Sequence, residues 1–117
     1  MITEWKYVVI REEFRNGTET PMLQEHPILF PKTLTHADVG RAVLFSDELM
    51  EKGNERDIVA AGFCRFDRMQ GWLCYGESES LKSIGCTGYK SRDTDPDLFA
   101  TLGLTHGLVD NSNDTAE

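Results

Sequence analysis

Apolar and polar positions alternate along the first stretch of the chain. Trp5, Tyr7 and Val9 fall on one side of an extended segment and Val8 and Ile10 on the other, which predicts a strand over Trp5 to Phe14 with both faces partly covered. Asn16-Gly17 then suits a type I′ turn, because both positions tolerate positive φ. The segment from Thr18 to Leu23 is expected to return as a hairpin. Pro21, Pro27 and Pro31 lack an amide donor, so that strand either sits at a sheet edge or breaks before Ile28-Leu29-Phe30.

The period changes after Thr35. Thr35 followed by Asp38 at the third helical position is a short-acid form of the capping box, and Val39, Ala42 and Val43 then share one helical face. These positions predict a helix from Ala37 to Leu44, with a short further turn to Lys52 stopped by Gly53. Ile58 to Phe66 and Gly71 to Ser80 read as a second hairpin around Asp67-Arg68-Met69-Gln70. Ala60, Ala61, Gly62 and Gly76 suggest a face where a helix packs closely. Leu81 to Arg92 has no sustained period and reads as a loop. Asp95-Pro96-Asp97 reads as a helix start with Asp95 as N-cap, continued by Leu98, Phe99 and Leu102 and ended by Gly103. Residues 1–108 are expected to form one α+β domain: a small, mostly antiparallel sheet from two hairpins, one main helix and a short C-terminal helix. Residues 109–117, polar and acidic, are expected to be a disordered tail.

Charge narrows the function classes. With 12 Lys+Arg against 20 Asp+Glu, the net charge of −8 disfavours direct binding to nucleic acid or to anionic lipid, both of which need a cationic surplus. It suits a soluble protein, or a protein partner with a basic surface. No window approaches a membrane span, and the charged N-terminal stretch is unlike a signal peptide, so a cytoplasmic protein is expected. Cys64, Cys74 and Cys86, an odd number without CxxC spacing, then read as free thiols.

No organised catalytic set emerges. The three cysteines and His26, His36 and His106 lack metal-ligand spacing, so neither a metal nor a cofactor is expected. Only Cys64 and Cys74 could meet, across the second hairpin. A five-residue loop would oppose them directly and set Phe66 against Trp72, whereas a four-residue loop would set Cys64 against Leu73. Gly85-x-x-Gly88 matches neither a P-loop nor a KH loop in context. A small enzyme would have to use His36 or Cys86 with Glu77 or Asp38. Glu77 and Glu79, two apart on the expected strand, would share a solvated face.

Binding is the better-supported expectation. Arg65, Arg68, Trp72 and Tyr75 gather around one hairpin, with Glu77 and Glu79 beside them, and Trp, Tyr and Arg are the residue types enriched where protein interfaces hold most tightly. These six residues form the expected contact site, on the condition that Trp72 faces solvent. Self-association through an edge strand is the structural alternative. Phe30-Pro31, Leu34-x-His36-Ala37-Asp38-Val39, Ala61-Gly62-Phe63 and Cys74-Tyr75-Gly76-Glu77-Ser78 with Ser91-Arg92 together resemble small phage and prophage accessory proteins, over about residues 28 to 102. The resemblance implies a compact protein made in a bacterial cytoplasm that acts on a host protein, and assigns no residue a role.

Overall fold

The computed structural model describes residues 4–14, 20–46 and 54–101. Four strands, β1 (Trp5–Phe14), β2 (Met22–Phe30), β3 (Glu55–Asp67) and β4 (Gly71–Tyr75), make one antiparallel sheet in the order β2-β1-β3-β4. Helix α1 (His36–Leu44) lies between β2 and β3 in the chain, and α2 (Glu79–Ser83) and α3 (Asp95–Thr101) follow β4. The class is α+β. No described helix is long and apolar enough to cross a membrane.

Both faces of the sheet are buried, as the alternation of β1 requires. Val8 and Ile10 meet Phe30, Ile58 and Ala61 with Ala37 and Val43 of α1 and Leu81 of α2. Tyr7 and Val9 meet Ala60, Cys64 and Trp72 with Phe99 of α3. Ile58 and Ala60 lie two apart yet serve opposite cores. The ladder shifts between Val9↔Ala60 and Ile10↔Ile58, leaving Val59 as an extra residue that reverses the side-chain parity.

Strand β2 is an edge strand and runs through Pro27 unbroken, which decides between the two expectations for it. It begins at Met22 rather than Thr18. A two-residue turn at Asn16-Gly17 would set Phe14 opposite Glu19, whereas its partner is Met22. The turn itself lies outside the described residues, as do the helical turn expected up to Lys52, Leu102, Gly103 and the tail.

Thr35 caps α1 as expected, its Oγ1 accepting the Asp38 amide at 3.1 Å. The close helix–sheet approach comes from Gly40 on the helix, where an added Cβ would lie 2.7 Å from Ile58 Cδ1. Gly62, expected under a helix, instead lies against backbone, with an added Cβ 2.6 Å from the Tyr75 carbonyl.

Strand β4 ends at Tyr75, five residues before the expected Ser80. Gly76 turns the chain at φ 79°, and Ser78 caps α2 through the Leu81 amide at 3.1 Å. The segment read as a loop then returns and closes the part of β3 that short β4 leaves open. Ala61 N–H donates to Lys90 O at 3.1 Å, Ser91 N–H to Gly76 O at 3.1 Å and Ser78 N–H to Tyr89 O at 2.7 Å. Gly88 makes this approach possible: a Cβ there would sit 2.2 Å from Ile58 O.

Asp95 is not the N-cap of α3. The Leu98 amide donates to Thr94 O, so Thr94 holds the cap position, and Asp95 is fully buried in the first turn. Its carboxylate accepts the Tyr7 hydroxyl at 2.5 Å, and both the amide and Nε of Arg92 at 2.8 Å. A buried carboxylate is drawn to these charged and polar donors because leaving it unpaired would be far costlier than an open helix end.

Candidate contact surface

The register of the second hairpin places its side chains. Cys64 pairs with Cys74 and Phe66 with Trp72, the five-residue-loop alternative. Asp67 Oδ1 holds the tip by accepting the amides of Met69 at 2.8 Å and Gln70 at 3.0 Å, and Gly71 closes it at φ 84°. Those two N–H bonds lower the pKa of the Asp67 carboxyl.

This register corrects the expected site. Trp72 is only 4% exposed and is a core residue, packed edge-on against Phe66 at 5.5 Å and Phe99 at 5.2 Å. Phe99 in turn meets Tyr7 edge-on at 5.2 Å. Positions 72 and 74 of β4 share the α3 side of the sheet, so 73 and 75 take the other.

On that other side four residues form a block. Phe63 pairs with Tyr75 and Arg65 with Leu73, and Phe63, Leu73 and Tyr75 belong to neither hydrophobic core. The Phe63 and Tyr75 rings stack at 6.5 Å with 14° between their planes. The Tyr75 hydroxyl donates to Glu4, whose carboxylate also pairs with Lys32 at 3.0 Å. These bonds, Tyr75 first, hold the Glu4 pKa below its ordinary value, while burial and then the Glu4 bond push the Tyr75 hydroxyl up to about 12. Phe63 is backed by the buried His36 ring, edge-on at 5.7 Å. His36 Nε2 donates to the Gly62 carbonyl at 2.8 Å, and burial lowers its pKa, so the imidazole stands neutral.

The expected site residues therefore separate. Arg65 and Tyr75 belong to the block, and Arg65 lies 3.8 Å from Asp67. Arg68 is exposed at the hairpin tip beside Met69. Glu77 forms an isolated bridge with Lys90 and an ion pair with Lys82 at 3.6 Å. Glu79 opens α2 rather than sharing a strand face with Glu77. Phe63 and Leu73, which sequence reasoning did not single out, share the sheet side of Arg65 and Tyr75 once the register is known.

The residues of the enzyme alternative are each committed elsewhere. His36 bonds Gly62, Asp38 pairs with Arg41 at 3.4 Å, Glu77 pairs with Lys82, and Cys86 packs beside the α1–α2 core. No hydrogen bond joins them among the described residues. Nor does any group of three His, Cys, Asp or Glu there stand close enough to hold a metal.

Two other features lie at the opposite end of the sheet. Arg11, Glu13, Leu23, Glu55, Arg56 and Asp57 line a polar pocket of about 290 Å³. Beside it, Arg92 donates to Glu25 at 2.8 and 3.1 Å, and Glu25 also takes Arg11 at 2.9 Å. No family model matches the chain, and neither a curated protein nor a solved structure shows significant similarity to it.

Proposed function

We propose that the protein is a non-catalytic binding protein whose contact surface is the face formed by Phe63, Arg65, Leu73 and Tyr75. One observation carries this reading: a stacked aromatic pair, a leucine and an arginine share a sheet face outside both hydrophobic cores. Aromatic residues and Arg are the types that dominate interface energetics. The rings are already ordered, Tyr75 by Glu4 and Phe63 by His36, so binding forfeits little side-chain entropy.

The partner is a protein with a basic surface. The net charge of −8 supports this, with Glu4 bonded to Tyr75 and Asp67 beside Arg65 at the aromatic block, charges that speed encounter more than they add affinity. The resemblance to phage and prophage accessory proteins directs the search to bacterial host proteins, with the protein acting as a modulator in the cytoplasm. Affinity capture from a bacterial lysate with matched variants tests the reading. The wild-type chain retains one partner near stoichiometry and loses it at high salt, while Arg65→Glu and Leu73→Ala fail to retain it. Equal retention by all three overturns the assignment.

A second reading, self-association along the β2 edge, is favoured by Met22 at 67% and Leu23 at 56% exposure on that strand. Static light scattering decides it: a concentration-dependent dimer mass supports pairing, and a constant monomer mass excludes it.

A further inference from the structure

We propose that Cys64 and Cys74 form a dithiol modification site, which a small-molecule disulfide converts into an intramolecular Cys64–Cys74 disulfide. The two residues are direct partners across β3 and β4, and both thiols lie on the α3 side of the sheet. Opposed residues of an antiparallel pair stand about 4.5–5.5 Å apart at Cα. A disulfide spans about 4.4–6.8 Å, so the bond closes without moving the strands. Cys86 packs against the α1–α2 core on the opposite side of the sheet and cannot compete for either sulfur within the folded chain.

Exposure sets the order of events. Cys64 is fully buried, whereas Cys74 is partly exposed, so Cys74 meets the oxidant first. The Cys74 thiolate attacks one sulfur of glutathione disulfide, forming a Cys74–glutathione mixed disulfide and expelling one glutathione thiolate. The Cys64 thiolate then attacks the Cys74 sulfur, forming the Cys64–Cys74 bond and expelling the second. The protein loses two electrons and two protons, and one glutathione disulfide becomes two glutathione molecules.

The surroundings make this a slow site. Burial pushes both thiols up, Cys74 to about 12, and the Asp95 carboxylate near Cys74 adds to the effect. Since only the thiolate reacts, the rate rises roughly tenfold per pH unit well below that value. The disulfide cross-links β3 to β4 beneath α3, on the side of the sheet away from Phe63 and Tyr75. It therefore stands independently of the contact surface.

The test uses the full chain, and a Cys86→Ser form of it, incubated with glutathione disulfide over a series of mildly alkaline pH values. Intact mass and peptide mapping are expected to show a product two hydrogens lighter, with Cys64 joined to Cys74, and a raised melting temperature. Cys64→Ser is expected to halt at the Cys74 mixed disulfide, and Cys74→Ser to remain unmodified over the same period. Wild-type protein that stops at a mixed disulfide, or retains both thiols throughout the pH series, overturns the proposal. So does Cys74→Ser reacting at Cys64 as fast as the parent reacts at Cys74. If a variant fails to fold, the mapped bond in the wild-type chain decides.

Discussion

The Tyr7 hydroxyl on the central strand donates to the Asp95 carboxylate in the first turn of α3, across 88 residues of chain, and both residues are fully buried. Arg92 binds the same carboxylate and extends to Glu25 on the edge strand, which also takes Arg11. Four alternating charges and one hydroxyl thus tie the last described helix to β1 and β2. Burial, reinforced by Asp95, pushes the Tyr7 hydroxyl far above its ordinary pKa, so it keeps the proton that it donates to Asp95.

Removing Asp95 should show how much rests on this tie. Asp95→Ala leaves Arg92 partly buried without one of its carboxylates, and a loss of about 3–5 kcal/mol is expected in urea unfolding. Tyr7→Phe deletes one donor and should cost about 1–3 kcal/mol. The double variant should lose less than the sum, because the two changes remove the same bond. A strictly additive double variant would contradict the network.

Glu25 and His36 contribute to the acid side of the stability profile, beside Glu4 and Asp67. The Glu25 pKa is lowered from its ordinary 4.5, first by the Arg92 bonds. Its contribution is complete above about pH 4.5 and is lost as pH falls through the folded value. His36 is lowered from 6.5 by burial. The unfolded chain therefore takes up that proton first, and stability declines as pH falls below 6.5. Chemical denaturation against pH should show the upper decline vanish in His36→Gln and the lower one weaken in Glu25→Gln.

The two close approaches by glycine should differ in cost. At Gly88 an added methyl meets backbone, 2.2 Å from Ile58 O, and Gly88→Ala should lose about 1–3 kcal/mol or more. At Gly40 the obstacle is the end of the Ile58 side chain, which can rotate, and alanine favours the helix. Gly40→Ala should therefore cost less than Gly88→Ala; thermal melts of the pair check the order.

Trp72 and Arg65 should separate stability from binding. Trp72→Ala empties the space between Phe66 and Phe99 and should cost about 3–5 kcal/mol. Trp72→Phe should cost much less, because the buried indole N–H has no acceptor among the described residues. Arg65→Ala, on an exposed side chain, should stay within about 0.5 kcal/mol of wild type while weakening partner capture.

Local signals proved legible and distant ones did not. Thr35 and the spacing of Val39 and Val43 define α1 because a cap and a helical face are decided within a few residues, although Ala42, expected on that face, is exposed. Pro27 within β2 marks an edge because a missing donor is a property of the residue itself. The hairpin register was open because it hangs on Asp67 accepting two specific amides, and with it hung the side taken by Trp72. Five residues of α2 are too few to show a period, although Ser78 and Glu79 carry a cap and a first-turn acid. Asp95 resembles a cap in sequence because its actual partners, Tyr7 and Arg92, are set by tertiary packing. Of the site, Arg65 and Tyr75 were readable by residue type; Phe63 and Leu73 required the register.

Site-directed photo-crosslinking in bacterial cells tests the central claim most directly, with a benzophenone side chain replacing Leu73 on the contact face or Ala42 on the exposed side of α1. The account predicts one discrete crosslinked protein from position 73, absent from position 42 and competed away by unlabelled wild-type chain. Crosslinking from position 42 but not 73, or from neither, would contradict it.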